Sequence, residues 1–278
     1  MSYIIGVDTG GTFTDAVIID DKGVITTAKA LSTPPYFHEG IMNSLKQGAR
    51  MLNRTLEEIL RETEAFKFGG TMATNAIMTR TGAKTGLITT RGFEDVIAIA
   101  RGTSKWFGLP ESDIKHEAAT RKPEPIVPKY LIEGVIERID RDGEVVYPLN
   151  HNTAREQLRR LIDAGIEGLA VSLLWSVRNP KHEQELSKIV HEMAPELYVA
   201  ISSEVAPVVG EYERTITTIL DSYIGQATKE SLGLLSSKLT KSGLETEILI
   251  MKADGGCSFL SEILPVATVH SGPAAGVI

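Results

Sequence analysis

Residues 4–15 read Ile4-Ile5-Gly6-Val7-Asp8-Thr9-Gly10-Gly11-Thr12-Phe13-Thr14-Asp15, and a second apolar run, Ala16 to Ile19, follows at once. Both flanks are short, rich in β-branched residues and bounded by turn formers, which predicts two strands rather than a strand and a helix. The glycine turn therefore sits inside a hairpin. That context excludes a Walker loop, which needs G-x-x-x-x-G-K-[ST] opening a helix, and the dinucleotide fingerprint G-x-G-x-x-G, which needs the same setting. Two readings remain. One is an ordinary Gly-Gly hairpin; the other is a tight turn whose N–H groups and Thr hydroxyls face an anion, glycine letting the backbone come close. In the second reading, Asp8 at the strand end suits hydrated Mg²⁺, a hard cation that keeps waters and takes one or two carboxylates. Thr12 and Thr14 are the hydroxyls placed to reach phosphate or a metal-bound water, although threonine also suits any hairpin strand. Asp15 reads equally as an outer ligand and as a turn carboxylate.

Outward from the hairpin, Asp20-Asp21-Lys22-Gly23 turns the chain into a third strand, Val24 to Lys29, which completes an antiparallel meander. Ile41, Leu45, Ala49 and Leu52 recur at helical spacing, and Thr55-Leu56-Glu57-Glu58 is a capping box for the next helix. A strand at Phe66–Gly69, a helix from about Thr71 to Arg80, a strand at Thr85–Thr90 and a short helix at Gly92–Ile99 follow. From Gly102 to Pro128 the pattern lapses, and Pro110, Pro123, Pro125 and Pro128 mark a long irregular excursion. Regular structure resumes with a strand at Tyr130–Ile139, a turn at Asp142-Gly143, a helix around Arg155–Asp163 and a buried strand at Leu169–Trp175. Asn179-Pro180 predicts an N-cap and a first-turn proline for a helix through Met193. Beyond a boundary near Ser202, a long helix carries Ile216, Ile219, Leu220, Tyr223, Ile224 and Ala227 at i, i+3, i+4 spacing, and Glu245–Lys252 reads as a strand. This alternation predicts an α/β architecture.

Composition narrows the function classes. With 278 residues, 42% of them hydrophobic, and a net charge of −7, the chain is long enough for two domains and reads as soluble and globular. The acidic balance argues against a nucleic-acid partner. No run approaches the ~18 apolar residues of a membrane span. The amino-terminal residues lack a charged leader ahead of an apolar region, so a cytoplasmic location is expected. The single cysteine, Cys257, excludes an intrachain disulfide and fits a reducing compartment. The six histidines form no H-x-x-x-H pattern, so a protein-built zinc site is not expected.

Further segments hold candidate ligand groups. Thr71, Thr74 and Asn75 open a helix, where free N–H groups and the helix dipole suit an anion, or where Thr71 simply caps. Arg91, Glu94 and Asp95 begin another helix, with Arg101 beyond it as an oxyanion clamp or a surface ion pair. Glu211, Arg214, Thr218 and Asp221 recur along one side of the long helix, at a cleft or on a solvated face. Asp254-Gly255-Gly256 follows a strand, a usual place for a ligand and equally a turn. Ser271-Gly272-Pro273 predicts the start of a helix whose amides point outward.

The opening segment resembles the first phosphate motif of the actin, sugar-kinase and heat-shock-type ATPase superfamily. In detail it resembles the hydantoinase A/5-oxoprolinase branch, whose members begin D-x-G-G-T-F-T-D. Gly69-Gly70-Thr71-Met72-Ala73-Thr74-Asn75-Ala76, Leu87-Ile88-Thr89-Thr90-Arg91-Gly92-Phe93-Glu94-Asp95, Glu211-Tyr212-Glu213-Arg214-Thr215 and Ser271-Gly272-Pro273-Ala274-Ala275-Gly276-Val277 resemble further blocks of that branch, in its order and across nearly the whole chain. The resemblance implies a ribonuclease H-like α/β lobe of the actin and sugar-kinase type, a mixed sheet flanked by helices, over residues 1–201, and the start of a second lobe over 202–278. It implies ATP and Mg²⁺, bound through Asp8, Gly10, Gly11, Thr12, Thr14, Asp15, Gly255, Gly256, Ser271 and Gly272, with Asp8 reaching the metal through water. Substrate contacts are expected from Thr71, Thr74, Asn75 and Arg101; no general base is assigned.

The implied chemistry is ATP-dependent hydrolysis that opens a cyclic amide, a hydantoin or 5-oxoproline, through phosphorylation of its carbonyl oxygen. Alternatives on the same fold are a subunit of an acetone- or acetophenone-type carboxylase, toward which the Arg121 to Arg138 stretch points, and a non-enzymatic ATP-dependent activator. Implied partners are a cyclic amide or ketone substrate and a hydantoinase B-like subunit, with homo-oligomerisation left open. The chain departs from the branch in two places. Its usual His-Gly-Thr-Thr reads Phe68-Gly69-Gly70-Thr71 here, so that histidine's role does not carry over, and its usual Asn-Ala reads Asp221-Ser222. The branch's second phosphate motif, D-x-G-G-T-[ST]-x-D, has no counterpart in these residues. The expectation is a fragment, one full lobe and part of another, that neither binds ATP tightly nor turns over alone.

Overall fold

The computed structural model describes residues 2–101, 106, 108–116, 120, 122 and 124–272. Packing divides the chain into two compact units, Met1–Gly82 with Ile224–Ile278, and Ala83–Tyr223. This is a division by packing; the boundary expected near Ser202 divides the chain by sequence region instead.

In the first unit, alternation of apolar and polar residues makes β1 (Tyr3–Thr9) and β2 (Phe13–Asp20) an antiparallel hairpin, and β3 (Ile25–Leu31) extends it. Ile5, Val7, Ala16 and Ile18 turn inward and are fully buried. They meet α1 (Phe37–Met51), whose Ile41, Leu45 and Ala49 form the expected apolar stripe. The helix comes close because glycines face the sheet: a Cβ on Gly48 would lie 2.8 Å from Ile18 Cδ1. The capping box at Thr55 opens α2 (Leu56–Arg61) as expected. β4 (Thr63–Gly70) then runs parallel to β1 and leads into α3 (Met72–Thr79).

The second unit is built on a parallel sheet. β5 (Thr85–Thr90) is central; α4 (Val96–Ile99) is a single turn at the end of the helix expected over Gly92–Ile99, and α5 (Glu111–Ile114) is a single turn within the irregular stretch. Residues 102–105, 107, 117–119, 121 and 123 of the Gly102–Pro128 excursion lie outside the described residues. The strand expected over Tyr130–Ile139 is broken. A 3-10 turn at Lys129–Leu131 precedes β6 (Ile132–Val135), and β7 (Arg138–Ile139) leaves to pair with β8 (Val145–Tyr147). α6 (His151–Asp163) starts at the Asn150 cap, earlier than the apolar pattern indicated. β9 (Gly168–Ser172), α7 (Lys181–Met193), β10 (Tyr198–Ile201) and α8 (Ser202–Val205) complete the layer. At α7 the cap position falls on Pro180, one residue after Asn179, whose side chain accepts from Lys181 N at 3.1 Å. The sheet order is β10-β9-β5-β6, all parallel.

α9 (Glu211–Lys241) has 31 residues and spans the change of unit at Tyr223/Ile224. Back in the first unit, β11 (Ile248–Met251) and β12 (Cys257–Phe259) complete a mixed sheet of order β12-β11-β4-β1-β2-β3. β1, β4 and β11 are parallel, so their carboxyl ends, Thr9, Gly70 and Met251, share one end of the sheet. That is where open α/β sheets present ligand sites. Among the described residues no helix is long and apolar enough to cross a membrane.

Candidate functional site

Thr9 and Thr14 close the β1–β2 ladder, and Gly10 N donates to Phe13 O at 2.9 Å, leaving Gly10 to Phe13 as a tight loop. Ser32, just beyond β3, braces this loop from beneath. Its N–H donates to Thr12 O at 2.9 Å, its hydroxyl donates to Gly10 O at 2.8 Å, and the same hydroxyl lies 2.9 Å from Thr14 Oγ1. Thr14 is fully buried and engaged in this bracing, whereas Gly11 and Thr12 are exposed at the tip. Neither glycine of the loop takes the left-handed conformation.

Asp8 faces away from α1, directly opposite Asp15 in the hairpin register. The two carboxylates differ in their partners. Asp15 takes Lys29 Nζ at 2.7 Å. Asp8 has no hydrogen-bond or ion-pair partner among the described residues, and its carboxyl is pushed up from the usual range, first by desolvation and then by the Asp15 charge. Backbone without Cβ surrounds it. The Cβ positions of Gly69 and Gly272 lie 3.9 and 3.6 Å from Asp8 Oδ1, ordinary contact distances, although at Gly272 a Cβ would also come within 3.3 Å of Thr71 Cγ2.

The start of α3 joins this end of the sheet. Thr71 N donates to Thr9 O at 3.0 Å, and Asn75 Nδ2 donates to Thr71 Oγ1 at 3.3 Å. Thr71 occupies the N-cap position without capping through its side chain. A Cβ on Gly11 would sit 3.6 Å from Asn75 Nδ2, so hairpin tip and helix start are neighbours. The carboxy-terminal segment arrives on the same side. His270 N donates to Thr74 Oγ1 at 2.9 Å and Ser271 Oγ to Gly70 O at 3.3 Å. Asp8, Gly11, Thr71, Thr74, Asn75, Ser271 and Gly272 are thus brought together; the helix expected onward from Pro273 lies outside the described residues.

Gly255 and Gly256 follow β11 in the turn to β12. Gly255 has φ +81°, and Gly256 N donates to Asp254 Oδ1 at 2.9 Å, so the turn itself accounts for this pair. Arg101 belongs to the other unit, where it is exposed and paired with Glu213.

The second unit concentrates buried charge at its strand ends. Glu137, after β6, accepts from the Thr90 hydroxyl and lies 2.7 Å from His182 Nδ1. The neighbouring Glu183 is fully buried and accepts from Leu173 N, Ser203 N and the Ser202 hydroxyl. Arg214 Nε donates to that same hydroxyl at 3.2 Å, and its other nitrogens donate to Val208 O and Leu173 O. The polar stripe of α9 is therefore buried: Arg214, Thr218 and Asp221 are each at most 2% exposed, and Tyr198 OH donates to Asp221 Oδ2 at 2.9 Å.

Two family models match the sequence: the hydantoinase/oxoprolinase N-terminal region over residues 4–194 and hydantoinase/oxoprolinase over residues 214–278. The chain belongs to the hydantoinase/oxoprolinase family. Among relatives of this family member, the acetophenone carboxylase gamma subunit of Aromatoleum aromaticum is 36% identical over 279 aligned residues, 99% of this chain and 38% of that protein. The caprolactamase subunit alpha of Pseudomonas jessenii is 31% identical, over 98% of this chain and 38% of its own length. A nucleotide-free acetone carboxylase structure superposes with a TM-score of 0.92 at 33% identity, covering 99% of this chain and 40% of that one. The chain thus spans about two fifths of the length of these relatives. At the position where the family string usually has histidine, this hydantoinase/oxoprolinase-family chain has Phe68, buried beneath Gly70 with a ring carbon 3.2 Å from the latter's Cβ position.

Proposed function

We propose that this chain carries part of the ATP site of an enzyme that opens a cyclic amide at the expense of ATP. ATP would phosphorylate the carbonyl oxygen and make its carbon electrophilic toward water. One observation supports this most: Asp8 is a partly desolvated carboxylate, without a hydrogen-bond or ion-pair partner among the described residues, at the end of a parallel strand and beside the backbone of Gly69 and Gly272. At Gly69 a Cβ would meet nothing closer than 3.6 Å, so packing does not require this glycine, and close approach of a polyphosphate does. The donor set also fits the metal. Among the described residues no cluster of three or more His, Cys, Asp or Glu side chains could hold an ion, and a lone carboxylate suits Mg²⁺, which retains several waters. Bound there, Mg²⁺ would neutralise phosphate charge, the main requirement of phosphoryl transfer.

The chain's own residues have separate tasks in this reading. Asp8 holds the hydrated metal, the N–H groups of Gly11 and Thr12 and those of α3 beyond Thr71 take phosphate oxygens, and Ser32 with Thr14 keeps the loop rigid. Ser271 and Gly272 contribute the facing backbone. Residues 1–201 act as the amino-terminal lobe and 202–278 as the start of the hydantoinase A region. A hydantoinase B-like subunit and a cytoplasmic setting belong to the same proposal.

A second reading, a subunit of an acetone- or acetophenone-type carboxylase, is favoured by the 36% identity to the acetophenone carboxylase gamma subunit. An ATPase assay of the intact protein with its partner subunit separates the two. Stimulation by hydantoin, 5-oxoproline or a lactam is expected; stimulation by acetone with bicarbonate alone would overturn the hydrolase reading.

A further inference from the structure

The first unit has a basic crevice that the phosphate turn does not use. Asp8 points away from α1. On the α1 side of the mixed sheet, α1 and the second half of α9 share one core, to which Ile41 and Leu45 come from one helix and Leu235 and Leu239 from the other. At the surface the two helices leave a crevice of about 430 Å³, within the range of small-molecule sites. Glu39, Asn43 and Lys46 line it from α1 at helical spacing, and Lys238, Lys241 and Ser242 line it from the end of α9. Met42, which is buried, is its one apolar side chain.

Three ammonium groups thus meet one carboxylate, in a chain whose net charge is −7. None of these four side chains makes an ion pair or hydrogen bond among the described residues, and neither do those of Asn43 and Ser242. Lys238 and Lys241 suit the carboxyl end of α9, and Glu39 suits the start of α1, through the helix dipoles. Lys46 has no such account. It lies more than a turn before the end of α1, and about 10 Å of helix separates it from Glu39. It adds a third positive charge where two already stand, which is unfavourable unless an anion shares the site. A second observation comes from His38, buried in the first turn of α1. Desolvation first, and then the Lys238 charge, hold its imidazole below the usual range against an opposing pull from Glu39. The positive field of the crevice therefore reaches a titratable group beside it.

We infer that this crevice binds a phosphate group, inorganic or at the end of a small phosphorylated molecule, through Lys46, Lys238 and Lys241, with Asn43 and Ser242 as neutral donors. A phosphate dianion brings several acceptor oxygens to three ammonium groups, an amide and a hydroxyl. A lone carboxylate brings one charge and two oxygens, and leaves most of these donors unmatched. Glu39 accepts from a hydroxyl of a phosphorylated molecule and repels a second anionic group. The site lies on the opposite face of the sheet from Asp8, so the inference does not depend on the ATP reading. A ligand that bridges α1 and α9 also stabilises the first unit by mass action.

The test is NMR titration of the whole chain, at fixed pH and ionic strength, with inorganic phosphate and separately with glycerol phosphate. Chloride and a polyglutamate peptide serve as controls. Either phosphate is expected to shift the Asn43, Lys46, Lys241 and Ser242 amides saturably and to raise the pH at which the His38 imidazole titrates. Equal affinities support inorganic phosphate as the ligand, and tighter glycerol phosphate supports a phosphorylated molecule. Lys46→Gln should weaken binding about tenfold without lowering the melting temperature of the unliganded chain, and Lys46→Arg should retain it. The same shifts with chloride, undiminished affinity in Lys46→Gln, or shifts with polyglutamate but with neither phosphate each overturn the inference. Phosphate shifts confined to Gly11 and Thr12 report the phosphate turn instead, and also overturn it.

Discussion

The two units place charged side chains at the same topological position, the carboxyl ends of parallel strands, and treat them oppositely. In the parallel sheet of residues 83–223, Glu137, His182, Glu183 and Arg214 are buried and engaged almost wholly with one another and with local backbone. In the mixed sheet, Asp8 keeps solvent access, has no partner among the described residues and faces a like charge. Buried charges must be satisfied internally or the fold fails. A carboxylate left unsatisfied at a strand end costs some stability and is available to a ligand. The contrast separates residues that hold the fold from residues that wait for chemistry.

The largest effect that could break this contrast is in the buried network. Arg214→Ala removes the guanidinium that spans Ser202, Val208 and Leu173, and should destabilise the second unit by about 3–5 kcal/mol in urea denaturation. A loss near zero would mean that these charges are not structural. Next comes Asp8→Asn. In the intact enzyme, substrate-stimulated ATP hydrolysis should fall by roughly 10²-fold while the melting temperature holds or rises, since a like-charge neighbour is relieved. Ser32→Ala leaves Gly10 O and Thr14 Oγ1 without a shared partner and should cost about 1 kcal/mol, with faster exchange of the Gly10–Thr12 amides.

The smallest expected effect is in pH. Asp8's folded pKa is raised above its usual 3.8, so the folded state holds this proton more tightly than the unfolded chain does. The stability gained on protonation is complete below the usual value and is lost as pH rises through the raised one. Asp8→Asn should therefore exceed wild type in stability at neutral pH, and the gap should close on acidification. A gap that widens instead would reverse the assigned cause.

Local structure was legible because its causes are local. Strand alternation in β1 and β2, the Ile41-Leu45-Ala49 stripe and the Thr55 capping box each depend on residues within a few positions. The site was legible only where it is contiguous. Ser32 supports the turn from 22 residues beyond Gly10, and Gly272 approaches Asp8 from the far end of the chain; no spacing in the sequence announces either. Thr14, expected at the phosphate, instead braces the loop from inside, because strand alternation turns it toward α1. Arg101, one of whose readings was a clamp, took the other and pairs with Glu213. The buried network went unread because its members pair across elements, although Glu183 did leave a signal. It falls on the same helical stripe as Leu186, Ile189 and Val190, where a carboxylate needs internal partners.

The most direct test of the Asp8 site uses Mn²⁺ in place of Mg²⁺, titrated with ATP into this chain while amide signals are followed, so that even weak binding registers. Paramagnetic broadening should centre on Asp8, Gly10 to Thr12 and the Thr71–Ala73 start of α3, and Asp8→Asn should abolish it. Broadening centred elsewhere, or unchanged in Asp8→Asn, would contradict the assignment of this turn as the metal–phosphate site.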